Sequence, residues 1–152
     1  MPGGAQRPVG GGAYGGRVMD QEQLDRRLAR IARVPFRAKF HPRARELAYL
    51  ASRGPEIVRR HARELIDARL APAVPDKDGK QTPWAGHPVF RAQHATATCC
   101  RTCLQSNHGI ARGHELGERE RQYVVDVICR WIEVECAVAI STPPSRSQPS
   151  LF

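Results

Sequence analysis

Apolar side chains recur at three- and four-residue steps through most of the chain, and that period predicts helices. Asp20 is placed to cap a first helix, with Gln23 three residues on as in a capping box. Leu24, Leu28 and Ile31 follow on one face, and Pro35 is expected to end the run. A second helix opens at Pro42, passes through Leu47 and Leu50, and stops at Gly54. Pro55 then starts a third helix, whose stripe is Ile57, Val58, His61, Ala62, Leu65, Ile66 and Leu70. His61 on that stripe reads as a core histidine with a satisfied hydrogen bond. A fourth helix is expected from about Pro88 to Ser106, and a fifth from about Glu118 to Ala139. The fifth carries Tyr123, Val124, Val127, Ile128, Trp131 and Ile132 on its apolar face. No stretch reads as a strand. The expected fold is all-α, four to five helices in a compact bundle.

The period fails in three places. Residues 1–17 are Gly-rich and 141–152 (STPPSRSQPSLF) are rich in Pro and Ser, so both are expected to be disordered tails around a single domain at 18–140. Between the third and fourth helices lies APAVPDKDGKQTPWAG (71–86), a long Pro/Gly-rich loop, and loops of that length are often functional. Lys77 and Lys80 in it suit phosphates, and Trp84 suits stacking on a base. A tryptophan that plugs the core beneath the loop is the competing reading.

Composition adds charge and location. The chain of 152 residues carries a formal +9. Residues 1–70 hold 15 Lys/Arg against 7 Asp/Glu, whereas 71–152 hold 9 against 8. A basic half points to a nucleic-acid partner. All but three of the basic residues are arginine, which a GC-rich coding bias also produces. No apolar run is long enough to span a membrane, and MPGGAQRPVGGGAYGGR has no apolar signal core. A cytoplasmic protein with reduced thiols is expected, and five cysteines, an odd number, suit a disulfide framework poorly.

The candidate chemistry lies in HPVFRAQHATATCCRTCLQSNHGI (87–110), where three cysteines and three histidines share 24 positions. On a continuous helix Cys103 falls within about 40° of Cys99 and about 60° of Cys100, while Cys99 and Cys100 diverge by about 100°. The metal reading takes Cys100 or Cys99, Cys103 and His108, with His87, His114 or water as fourth ligand. Zinc favours such donors. His94 falls opposite Cys103 on that wheel and is excluded from a cysteine-centred site if the helix is unbroken. The enzymatic alternative uses His87 and His94 as bases or ligands and Cys99, Cys100 or Cys103 as nucleophile or metal partner, though His94 and Cys99 diverge by about 140°. A redox C-x-x-C needs a helix N-terminus, and this pair reads as mid-helix unless a helix starts near Thr98. The plainest reading makes the cysteines small apolar residues at a helix contact. HGIARGHELG (108–117) faintly suggests a phosphate-holding helix hairpin, but Ala111 stands where its second glycine belongs. Cys129 and Cys136 read as structural.

RLAPAVPDKDGKQTP (69–83), GHPVFRAQHATATCCRTCL (86–104), HGI (108–110) and YVVDVICRWI (123–132) together resemble a small bacterial and phage family, domain of unknown function 4186, over about residues 24–134. The resemblance implies a family signature of Gly86, His87, Gln93, His94, Thr96, Thr98, Cys99, Cys100, Cys103 and His108. Asn107 departs from it, standing where an aromatic is expected, and so does His114, where arginine is expected. No activity follows from the resemblance. So much His, Thr and Cys in one signature nevertheless favours a metal or active site over packing alone. The reading is therefore a cytoplasmic zinc-binding module that contacts nucleic acid. A thiol- or metal-dependent enzyme using the 87–108 cluster is the alternative.

Overall fold

The computed structural model describes residues 19–141. The tails expected at 1–17 and 141–152 lie outside these, apart from Ser141. The described chain is all-α, with no strand. It forms seven helices rather than four or five: α1 (Gln21–Ile31), α2 (Pro35–Ala38), α3 (Ala44–Arg53), α4 (Pro55–Arg69), α5 (Pro88–Thr96), α6 (Arg101–His108) and α7 (Glu118–Ser141). No helix among the described residues is long and apolar enough to cross a membrane.

Local chemistry sets most boundaries. Asp20 and Gln23 form the expected capping box on α1, at 2.8 and 3.1 Å. Pro35 ends nothing permanently. Its fixed φ suits the first helical position, and it opens the single turn α2. Gly54, at φ 84°, separates α3 from Pro55 at the head of α4. Val58, Ala62 and Ile66 of α4 face Val124, Val127 and Ile128 of α7 across the core, with Val89 and Ala92 of α5 and Leu104 of α6 closing it. Burying an aliphatic side chain completely contributes about 1.5–3 kcal/mol, so this seam supplies much of the fold.

The helix expected over 88–106 is two helices. Ala97 adopts φ 61°, ψ 37°, a left-handed conformation that ends α5. Alanine is a poor residue there, which is why the sequence gives no sign of a stop. Buried polar groups hold the break. The Thr98 amide donates to the Gln93 carbonyl at 2.9 Å, and Gln93 Nε2 returns a bond to the Thr98 carbonyl at 2.9 Å. The Thr96 hydroxyl donates to the Ala92 carbonyl at 2.7 Å, and its oxygen accepts from Thr98 Oγ1 at 3.1 Å. Cys100 then sits in extended conformation as the N-cap of α6.

The long loop lies against this break. Arg101, only 1% exposed, donates from Nη1 to the carbonyls of Leu70 (3.3 Å) and Pro72 (2.8 Å). Its Nη2 donates to those of Ala111 and His114, each at 2.9 Å. Asp78 accepts from the Arg101 amide at 3.0 Å, and the Thr82 hydroxyl donates to the Cys99 carbonyl at 2.7 Å. The loop is thus fastened to the start of α6 by a buried fork that only a guanidinium provides.

Two substitutions check this account by denaturant unfolding. Ala97→Val is expected to lose about 2 kcal/mol, because a β-branched side chain resists the left-handed region, while Ala97→Gly stays within about 1 kcal/mol of the parent. Arg101→Lys is expected to lose about 3 kcal/mol, since an ammonium cannot satisfy four divergent carbonyls.

Candidate metal centre

Breaking the helix changes where the sulfurs point. Cys99 and Cys100 precede α6, Cys100 in extended conformation, and Cys103 lies in its first turn, so the angular spread expected on one continuous wheel does not apply. The three Sγ atoms lie within 4.8 Å of one another. Cys100 Sγ accepts from the Cys103 amide at 3.4 Å, one of the free N–H groups at a helix start. Cys99 and Cys100 are buried and Cys103 is half-buried, and all three are free thiols.

Arg37, on the unforeseen helix α2, supplies the positive charge. Its Nη2 donates to Cys103 Sγ at 3.0 Å, and its Nη1 meets Cys99 Sγ at 3.6 Å and the His94 carbonyl at 2.8 Å. Hydrogen bonds from Cys100 and Cys99, with Arg37 beside them, pull the Cys103 thiol far below the ordinary range. The same bonds with Cys100 and Cys103, together with burial, push Cys99 far up, and Cys100 is raised chiefly by its bond with Cys103. Cys103 is therefore the sulfur of the three that ionises most readily, the condition for a nucleophile or a metal ligand.

The histidines have different surroundings. His94 is 5% exposed, and its Nε2 donates to the carbonyls of Thr82 (3.1 Å) and Pro83 (3.2 Å). Its ring stacks on Trp84 at 4.2 Å and on Phe40 at 5.3 Å between centroids. Burial lowers its pKa and keeps it neutral. His108, expected as a metal ligand, stands apart from the sulfur group. Both of its nitrogens are engaged: Nε2 donates to the Thr96 carbonyl at 2.7 Å, and Nδ1 accepts from the Tyr123 hydroxyl at 2.6 Å. No lone pair is left for a metal, and the group of converging donors contains Cys99 rather than His108. His87 caps α5, with Nδ1 accepting from the Val89 amide at 3.0 Å, and its Nε2 faces His61 at 3.4 Å. His61 also meets the Tyr49 hydroxyl at 3.0 Å, the satisfied partner expected for it. His114 pairs with Glu120 at 2.9 Å. Gly109, left-handed at φ 72°, ends α6 as a plain helix-stopping glycine. Cys129 and Cys136 stand on α7, outside the sulfur group.

Of the residues read as nucleic-acid contacts, Lys77 and Lys80 are exposed, with Asp76 and Asp78 close by in sequence. Trp84 does not plug the core. One face stacks on His94 while the residue remains 60% exposed. Phe36 and Lys39 join it on the surface, with Phe36 edge-on to Trp84 at 6.1 Å and Lys39 Nζ 4.6 Å over the Phe36 ring. Sequence reasoning missed Arg37, Phe36 and Lys39, because α2 is too short to show a period.

The family model described as Domain of unknown function (DUF4186) matches residues 25–133. No solved structure matches the chain.

The pKa of His108 is lowered from 6.5 to about 4, chiefly by burial. The unfolded chain therefore takes up a proton that the folded imidazole refuses. Stability is expected to be full above pH 6.5 and to fall by about 3 kcal/mol as pH drops towards 4. Urea titrations across that window check this, and His108→Gln should flatten the slope relative to the parent.

Proposed function

The chain belongs to the DUF4186 family, and we propose that it is a metal-binding module whose thiols Cys99, Cys100 and Cys103 hold one divalent cation, zinc in our reading. The convergence of three sulfurs within 4.8 Å carries this proposal. Thiolates on a tetrahedral zinc, with bonds near 2.3 Å, stand about 3.8 Å apart, so the observed spacing needs only slight contraction. Three thiolates and a dication sum to one negative charge, and Arg37, already donating to Cys103, balances it. Donors that hydrogen-bond to a ligating sulfur commonly orient it and steady its charge. Among the described residues neither His87 nor His94 hydrogen-bonds to a cysteine through its ring, so the module is favoured over a Cys/His enzyme.

One observation favours a second reading. α6 starts at Cys100, which gives the C-x-x-C pair the helix N-terminus that a thiol–disulfide couple needs. We also propose nucleic acid as the partner, on the strength of the exposed Trp84, Phe36 and Lys39 and the arginine-rich first half. Lys77 and Lys80 would then contact phosphate.

Protein purified without a histidine tag is expected to contain about one zinc per chain by elemental analysis. A chelator should lower its melting temperature and expose fast-reacting thiols. A metal-free protein that melts identically with and without added zinc overturns the module. If it also forms a reversible Cys100–Cys103 disulfide, the redox reading replaces it. Single-stranded oligonucleotide binding should weaken steeply with salt and with Trp84→Ala.

A further inference from the structure

Two buried side-chain polar atoms have no hydrogen-bond partner among the described residues: Arg101 Nε and His94 Nδ1. The first belongs to a guanidinium already fastened by four carbonyls. The second has no such account. The carbonyls of Thr82 and Pro83 can only accept, so they place the ring hydrogen on Nε2 and leave Nδ1 with an open lone pair. A buried acceptor without a donor is costly enough that native proteins rarely keep one without a use. Metal-binding histidines show this arrangement, one nitrogen to the ion and the other N–H to a backbone carbonyl.

His94 is also tied to the thiols through Arg37. Arg37 Nη1 spans the His94 carbonyl and Cys99 Sγ, at 2.8 and 3.6 Å. Stacking against Trp84 and Phe40 fixes the ring plane. The left-handed turn at Ala97 removes the objection that a continuous helix would place His94 on the far side from Cys103.

We propose that His94 Nδ1 is the fourth ligand, so that Cys99, Cys100, Cys103 and His94 form a closed site of three sulfurs and one nitrogen for a tetrahedral divalent cation of the zinc class. This rests on the metal reading above. Nδ1 lies outside the group that joins the three sulfurs, so binding requires the ring to move toward them. The imidazole enters neutral, and any thiol still protonated releases its proton to solvent as the ion binds. An imidazole in the set selects zinc or cobalt over thiophilic ions satisfied by three sulfurs. A fourth protein ligand leaves no open position, which makes the site structural rather than catalytic. It also ties ion occupancy to Trp84, because that ring rests on His94.

X-ray absorption at the zinc edge of the zinc-loaded full chain tests this. Three sulfurs and one nitrogen, with the outer-shell scattering of an imidazole, are the expected result. His94→Ala should keep three sulfurs, lose the imidazole signal and bind zinc at least about tenfold more weakly. A loaded wild-type site with three sulfurs and no imidazole, or with four sulfurs, overturns the His94 assignment and leaves the metal reading standing. That spectrum decides the matter even if the variant fails to fold. No zinc bound by the wild type overturns the metal reading, and the His94 assignment falls with it.

Discussion

The site depends on one left-handed residue. Ala97 turns the chain out of α5 at φ 61°, and without that turn residues 88–106 would continue as a single helix. On such a helix Cys99 and Cys100 point about 100° apart, and no common centre exists for three sulfurs. The turn costs on the order of 1–2 kcal/mol in an alanine. It persists because Thr98, buried, shares hydrogen bonds with the buried Gln93 and Thr96 side chains that fit the broken backbone and not a continuous helix.

The break is also held from outside. On one side, Arg27 of α1 donates to the Tyr123 hydroxyl at 2.9 Å, Tyr123 donates to His108, and His108 donates to the Thr96 carbonyl. That relay runs from α1 through α7 and α6 to the last residue of α5. On the other side, Thr82 holds the Cys99 carbonyl, and Arg101 gathers both flanking loops. His108 thus helps to place the backbone that leads into the sulfurs. Its low pKa follows from the same burial.

The fold was legible where a single physical rule decided the outcome. The capping box at Asp20, the Gly54–Pro55 boundary and the stripe on α4 all stand as the sequence predicts. The rule failed where tertiary contacts outweighed local preference. No glycine marks Ala97, and the helical period runs on across it in the sequence while the buried Thr and Gln side chains impose the turn. Pro35 reads as a stop, yet proline also starts helices, and α2 follows it at once. With α2 hidden, Arg37 was one arginine among many, and nothing in its surroundings tied it to residues about sixty positions away. The cysteines were found by density alone. Proximity in sequence also gives no information on whether both ring nitrogens of His108 are already engaged, as they are here.

The charge arrangement links the site to the surface. Arg37 donates to Cys103 while its neighbours Phe36 and Lys39 reach solvent beside Trp84. Trp84 in turn rests on His94, whose backbone carbonyl Arg37 also holds. A single short helix therefore contributes to both the thiol cluster and the aromatic surface. A change in sulfur charge must alter the pull on Arg37, and the stacked rings share its anchor. The exposed aromatic face and the buried sulfurs are in this sense two ends of one assembly.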